Sequence, residues 1–315
     1  MRGNMAKTKQ TGQKLNKKPM NLRLRPWLII LPTLVVTLGI LYPFYQAVFY
    51  SLTDYSLKKP VWHFVGLKNW LEMFKGVNFW HSLWVTVKYT IAALVVEMGL
   101  GLVIALSLNR KDNLFTRILK VVLIFPLMVS PVIATLLFKL MTNSSVGVVE
   151  RFLNLFGVYG FPWTADSSTA LFSVILIDTW VYTPFVLLLI LAGLQGLPKS
   201  PYESAMIDGG SAWFTFKTLT LPLLKPVILI TLIFRLCAAI QEFSIIYSTT
   251  KGGPGDTLMN LSLSAYRDAF TYSSIGKAVP QILVLWVIIN FISSKLVKAW
   301  LLSLIHIWRK SSIIC

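Results

Sequence analysis

Hydrophobic residues gather along this chain in six long blocks, near 27–50, 83–108, 118–141, 170–194, 221–248 and 278–304. Each block can cross a bilayer core, which takes about 20 apolar residues of helix. None shows the period-two alternation of a barrel strand. Lipid requires each segment to pair its own backbone amides, so six transmembrane helices are predicted. Pro32, Pro43, Pro126, Pro131, Pro184 and Pro280 fall inside the blocks. Each removes a backbone bond and bends its helix, which a packed bundle accommodates. Gly99-x-Gly101 and Gly193-x-x-Gly196 offer places for close helix approach. The first block is too long for the core of a signal peptide and no small-residue cleavage site follows it, so no cleaved leader is expected.

The 315 residues are 55% hydrophobic and 13% charged, about half the ~25% charged share of a soluble domain. The fold class is therefore all-α integral membrane; a disordered chain and an ordinary soluble enzyme are excluded. The net charge of +18 is a topology signal. Eight Lys and Arg precede Pro26, with no acid among them. With that tail cytoplasmic, eighteen basic residues lie inside and eight outside, which puts both termini in the cytoplasm. The excess attracts anionic lipid heads, and no nucleic-acid partner is needed. Residues 1–25 read as a disordered tail. Cys237 sits in an apolar run and Cys315 at the terminus, so no disulfide framework or cysteine metal site is expected. No Gly-x4-Gly-Lys-Ser/Thr, His-Glu-x-x-His or Gly-x-Ser-x-Gly occurs, and the three histidines, His63, His81 and His306, are scattered. No catalytic residue and no metal site is predicted.

The loop between the fourth and fifth blocks carries the most local instruction. Ser200 can cap a helix, with Pro201 at its first position and Glu203 three after the cap. Asp208-Gly209-Gly210 supplies a left-handed stop. Ser211 can cap a second short helix over 212–220, which Pro222 would end. A helix–turn–helix over 198–222 results, suited either to docking or to lying on the headgroups.

This loop resembles the cytoplasmic signature of the membrane subunits of binding-protein-dependent ABC importers. That signature is Glu-Ala-Ala, three residues, Gly, nine residues, Ile-x-Leu-Pro. Here stand Glu203-Ser204-Ala205, three residues, Gly209, nine residues, then Leu219-Thr220-Leu221-Pro222. Phe64-Val65-Gly66-Leu67-Lys68-Asn69-Trp70 and Gly252-Gly253-Pro254, followed by Thr257, Tyr266 and Ala269-Phe270, look like family segments of the maltose-type oligosaccharide branch. The resemblance implies a permease domain over 26–304 in a bacterial inner membrane. It also implies a second permease subunit, ATP-binding cassette subunits that carry ATP and Mg, and an extracytoplasmic binding protein that delivers a carbohydrate. ATPase docking would fall to Glu203, Ser204, Ala205, Asp208, Gly209, Leu221 and Pro222. The ending from Ser303 departs from the family, and 305–315 is set apart as an atypical tail without function.

Charged and amide side chains inside a membrane face a cavity or a partner by default. Glu97, Asp178, Gln241 and Glu242 are such groups. Asp178, Tyr182 and Phe185 share a helix face, whereas Trp180 points elsewhere. Polar groups interleaved with ring faces suit a sugar. The resemblance puts the substrate pathway at Asp178, Val181, Tyr182, Phe185, Ala238, Ala239 and Glu242, with Gln241 beside them. The small pair Ala238-Ala239 departs from a maltose site and favours a bulkier ligand or one held by the other subunit. Asp178 and Glu242 could instead bond a neighbouring helix, and Glu97 could contact a partner subunit. Arg235, about two turns from Glu242, should meet an acid on another helix. The rival function is an ion-coupled secondary transporter, for which Asp178 and Glu242 are the available ion ligands.

Overall fold

The computed structural model describes residues 21–59, 61–109 and 113–311. Most of the expected disordered tail, and the topology markers Arg110 and Lys111, lie outside the described residues. Helix α1 (Asn21–Ser51) forms a unit of its own as far as Phe49. It is exposed from Leu31 to Tyr45 and apolar around its circumference, as suits a helix whose solvent is lipid or another helix.

The second unit begins at Tyr50. Its helices are α2 (Lys68–Lys75), α3 (Val77–Leu108), α4 (Leu114–Ile124), α5 (Pro131–Met141), α6 (Val148–Asn154) and α7 (Ser167–Gln195), then α8 (Ser200–Ile207), α9 (Ala212–Thr215), α10 (Leu221–Ile240), α11 (Ser244–Thr250), α12 (Leu261–Tyr266) and α13 (Ile275–Ser311). Side chains start several of them: Asn113 accepts from Thr116 N at 2.8 Å, Asp166 from Ser168 N at 2.8 Å and Asn260 from Leu263 N at 2.9 Å. Helix α13 continues through 305–311, where the sequence suggested a separate tail.

Helix α7 is the centre, with 61% of its most apolar window buried against 33% for α3, α10 and α13. Two apolar layers surround it. Tyr89, Ala170, Val174, Ile177, Ile245 and Leu258 form one; Ala105, Leu108, Leu187, Ile190, Leu194 and Leu224 form the other. Low-numbered residues of α3 pack with low-numbered residues of α7, so the two helices run parallel and α10 runs against them. The stretch between α3 and α7 must therefore carry the chain back across.

It does so as a corner. One helix was expected over 118–141, but α4 and α5 meet at 102°. Pro126 lies in a 3-10 turn over Phe125–Met128, Val129 is extended, and Ser130 is forced out of the helical region by Pro131, which opens α5. The fifth block, expected to run over 221–248, also breaks. Helix α10 ends at Ile240, and a Glu242 carboxylate oxygen accepts from Ile245 N at 2.8 Å, starting α11.

One glycine of each expected pair makes a close approach. A Cβ on Gly101 would lie 2.5 Å from Val186 Cγ1, and one on Gly193 2.7 Å from Val227 Cγ1. Gly99 has open space around it, and Gly196 follows the end of α7. Gly101→Ala should therefore lower stability by about 1–3 kcal/mol through overpacking, while Gly99→Ala should leave it unchanged or slightly raised. Thermal unfolding of the two variants in detergent checks this, and equal melting points would contradict it.

Candidate functional site

Two assemblies stand out, one at the end of the bundle where α7 finishes and one midway along it. At the end, two short helices, α8 and α9, lie within the stretch 198–222. Gly209 has φ +72° with open space around it, so the turn requires glycine for its backbone alone. Gly210 N donates to Ala205 O at 2.8 Å and closes the helix end. Ser211 caps α9 by accepting from Phe214 N at 3.2 Å.

Two local expectations need correction. Ser200 does not cap α8, which already includes it. The preceding residue is Lys199, helical in φ and ψ, and no side chain caps the end. Pro222 does not end the second helix. A π turn over Phe216–Thr220 runs directly into α10, with Leu221 N donating to Phe216 O, and Pro222 is the second residue of that helix.

Glu203, Ser204, Asp208 and Gly209 are exposed and Ala205 is half-buried; Leu221 and Pro222 are exposed at the base of α10. Sequence reasoning missed their apolar company: Met206, Ile207, Trp213 and Phe214 are 75%, 87%, 71% and 56% exposed. Large apolar side chains at the tip of a short hairpin between two spans mark a contact surface. Tyr202 Oη donates to Thr220 Oγ1 at 3.2 Å, joining α8 to the approach to α10.

Midway, three ionic side chains meet. Arg235 of α10 donates from Nε and Nη2 to both Glu97 carboxylate oxygens, at 2.5 and 2.8 Å, and from Nη2 to Asp178 Oδ2 at 2.5 Å. Glu97 and Asp178 are 0% exposed and Arg235 1%. The Tyr182 ring covers the guanidinium, 4.2 Å from Cζ to the ring centroid. The expected acid on another helix is thus two acids, one on α3 and one on α7. They lie where the two apolar layers join.

Of the expected pathway residues, Asp178, Val181, Ala239 and Glu242 are inside this chain and do not reach its surface. Asp178 bonds Arg235 through Oδ2, and Glu242 accepts from Ile245 N at the start of α11. Tyr182 and Phe185 are half-buried, while Ala238 and Gln241 are exposed. Glu97, read as a possible partner contact, is a bond within the chain. Among the described residues no group of three or more His, Cys, Asp or Glu could hold a metal ion.

Outside the spans, a cavity of about 220 Å³ lies at the end of the bundle opposite α8, among α2, the start of α13 and the π turn Arg267–Thr271. Lys277 bonds Glu72 at 2.9 Å there and holds its carboxyl below the usual range. Burial pushes the Asp268 carboxyl up, against a bond donated by Gln281 at 2.5 Å.

The structure is thus a bundle of helices long and apolar enough to cross a membrane, with a buried ion cluster and an exposed hairpin that runs into one of the spans. The chain belongs to the family described as binding-protein-dependent transport system inner membrane component, whose model matches residues 97–305. It is 39% identical over 252 residues to the trehalose/maltose transport system permease protein MalF of Thermococcus litoralis, covering 79% of this chain and 83% of that one. It is 33% identical over 256 residues to the sulfoquinovosyl glycerol transport system permease protein SmoG of Agrobacterium fabrum, covering 81% and 83%. The fold matches a chain of a bacterial ABC transporter that imports the acidic polysaccharide alginate, with a TM-score of 0.77 at 20% identity, over 89% of this chain and 96% of that one.

Replacing Arg235 by Met should cost about 3–5 kcal/mol, because two carboxylates then stay buried without their cation. Gln241→Ala, at an exposed position, should stay within about 0.5 kcal/mol of the parent. Thermal unfolding in detergent measures both; equal melting points would show that the cluster does not hold the helices.

Proposed function

We propose that this chain is one permease subunit of an ATP-driven importer of carbohydrate. With a second permease subunit it would form the pathway for an oligosaccharide or glycoside delivered by an extracytoplasmic binding protein. The observation that carries this reading is the exposed α8–α9 hairpin, with Glu203, Ala205 and Gly209 at the family spacing, joined without a break to α10. A passive linker between spans needs no such definition. ATP and Mg belong to separate ATP-binding subunits, which seat the hairpin and pass their closing motion to the bundle. This chain performs no covalent chemistry.

The carbohydrate assignment draws on two relatives, one named for trehalose and maltose and the other for sulfoquinovosyl glycerol. It also draws on the chemistry of the accessible positions. Tyr182 and Phe185 offer ring faces and Gln241 an amide, which suits a ligand with hydroxyl edges and C–H faces. The charge bias supports a cytoplasmic side for the hairpin and both termini. Against the secondary-transporter alternative count the internal bonds of its two candidate ion ligands, Asp178 to Arg235 and Glu242 to Ile245 N.

Purification from the native membrane in mild detergent tests the reading. The wild-type chain should bring with it an ATP-binding subunit and a second permease. Glu203→Lys should lose the ATP-binding subunit while keeping the second permease. A lone chain that moves solute under an ion gradient would refute the proposal.

A further inference from the structure

The cavity at the end of the bundle opposite α8 stands apart from the mid-bundle positions: neither Tyr182, Phe185, Ala238 nor Gln241 lines it. Of its lining residues, Asn78, Tyr272 and Lys277 are exposed while Phe79, Ser264 and Gln281 are buried, so it has an open rim and a closed floor. Its charges are already spent within the chain. Lys277 bonds Glu72 at 2.9 Å, Arg267 bonds Asp256 at 2.8 Å, and Asp268 accepts from Gln281 Nε2 at 2.5 Å. An ionic ligand would have to break one of these bonds to gain a counter-charge.

Two groups of the lining residues are left over. Gln281 Oε1 and Arg267 Nε are enclosed, and neither has a hydrogen-bond partner in the chain. An enclosed polar group without a partner is costly, so both call for one. They are an acceptor and a donor. An anion serves only the donor and a cation only the acceptor, whereas hydroxyl groups serve both. The cavity measures about 220 Å³. At ~30 Å³ per water that is room for roughly seven, close to the bulk of one pyranose ring with its hydroxyls. Met73 and Phe79 add apolar wall for the C–H faces of such a ring.

We propose that this cavity is a saccharide site separate from the mid-bundle pathway, taking one terminal ring of a sugar. One ring hydroxyl donates to Gln281 Oε1 and another accepts from Arg267 Nε, while the Lys277–Glu72 pair stays intact at the rim. Further rings extend through the open rim into solvent. The choice of saccharides among polyols rests on the carbohydrate-permease reading, and the charge bias supports an extracytoplasmic side for the cavity.

The test reads the cavity itself. The membrane complex is reconstituted in proteoliposomes without its binding protein, with Cys237 and Cys315 replaced by Ser and a reporter thiol introduced by Asn78→Cys. Trehalose, maltose or maltotriose is added outside, and the rate of modification by a membrane-impermeant maleimide is measured. At least one of these sugars should slow labelling severalfold, whereas phosphate and glycine should leave it unchanged. Gln281→Met removes the acceptor at little change in size. It should raise the half-protecting concentration about tenfold, the equivalent of one lost hydrogen bond.

Should Asn78→Cys fail to assemble, Tyr272→Cys at the same rim carries the reporter. Unchanged labelling with every saccharide would show a cavity that holds water alone and would overturn the proposal. Protection by phosphate or glycine, or protection that Gln281→Met leaves untouched, would overturn it as well. Import is measured in parallel, with binding protein and ATP added. A complex protected by a sugar but importing none of the three would remove the carbohydrate-permease reading and keep the site. A complex that imports them without protection would lose the site alone.

Discussion

Two carboxylates and one guanidinium share a space closed to solvent where α3, α7 and α10 meet. Any one of these charges left alone at membrane depth would cost several kcal/mol. The three helices therefore favour meeting together over meeting in pairs. Their close contacts are arranged to allow it. Gly101 lies one turn from Glu97 on the same face of α3, and its missing side chain lets α7 approach at Val186, two turns from Asp178. Gly193 of α7 admits Val227, which lies two turns before Arg235 on α10. Small residues set the spacing, and the ion cluster fixes the register in which the spaced helices lock.

The same helix that supplies the cation leads back to the exposed hairpin. From the π turn at Phe216–Thr220 through α10 to Arg235 the chain has no interruption, and Tyr202 ties α8 to its start. Six residues beyond Arg235 the backbone breaks, and α11 starts on the Glu242 carboxylate. Pro226 lies within this stretch, between the hairpin and the ion cluster, and the break after Ile240 sets α11 apart from it.

Hydropathy made the number of crossings legible, because length of apolar run is a local property. Direction is not local. The corner between α4 and α5 was invisible to a window average, although Pro126, Ser130 and Pro131 carry its cause. The break at Gln241 was hidden for another reason: an acidic residue in an apolar run reads equally as a pathway group or as a helix cap, and only the position of Ile245 N decides. Helical spacing excluded Glu242 as the partner of Arg235 but could not choose among acids on other helices. Of Gly99 and Gly101, only the partner helix tells which one is needed. In the hairpin, the positive φ of Gly209 and the cap at Ser211 were readable from residue type. The start of α8 at Ser200 was not, since a proline after a serine fits the first or the second helical position.

Charge and exposure are separated in this bundle. The accessible positions Tyr182, Phe185, Ala238 and Gln241 carry no formal charge, whereas Glu97, Asp178 and Arg235 are turned inward and neutralise most of one another. Passage requires binding strong enough to admit a solute and weak enough to release it. An ionised side chain facing a polyhydroxyl ligand would form charge-assisted bonds about twice as strong as neutral ones, and slow its departure. On the carbohydrate-permease reading, ring faces and a single amide would hold a sugar more loosely, while the directional bonds of the guanidinium go to Glu97 and Asp178. A bundle built this way can keep strong electrostatics for holding its helices and leave weak, replaceable contacts for the solute.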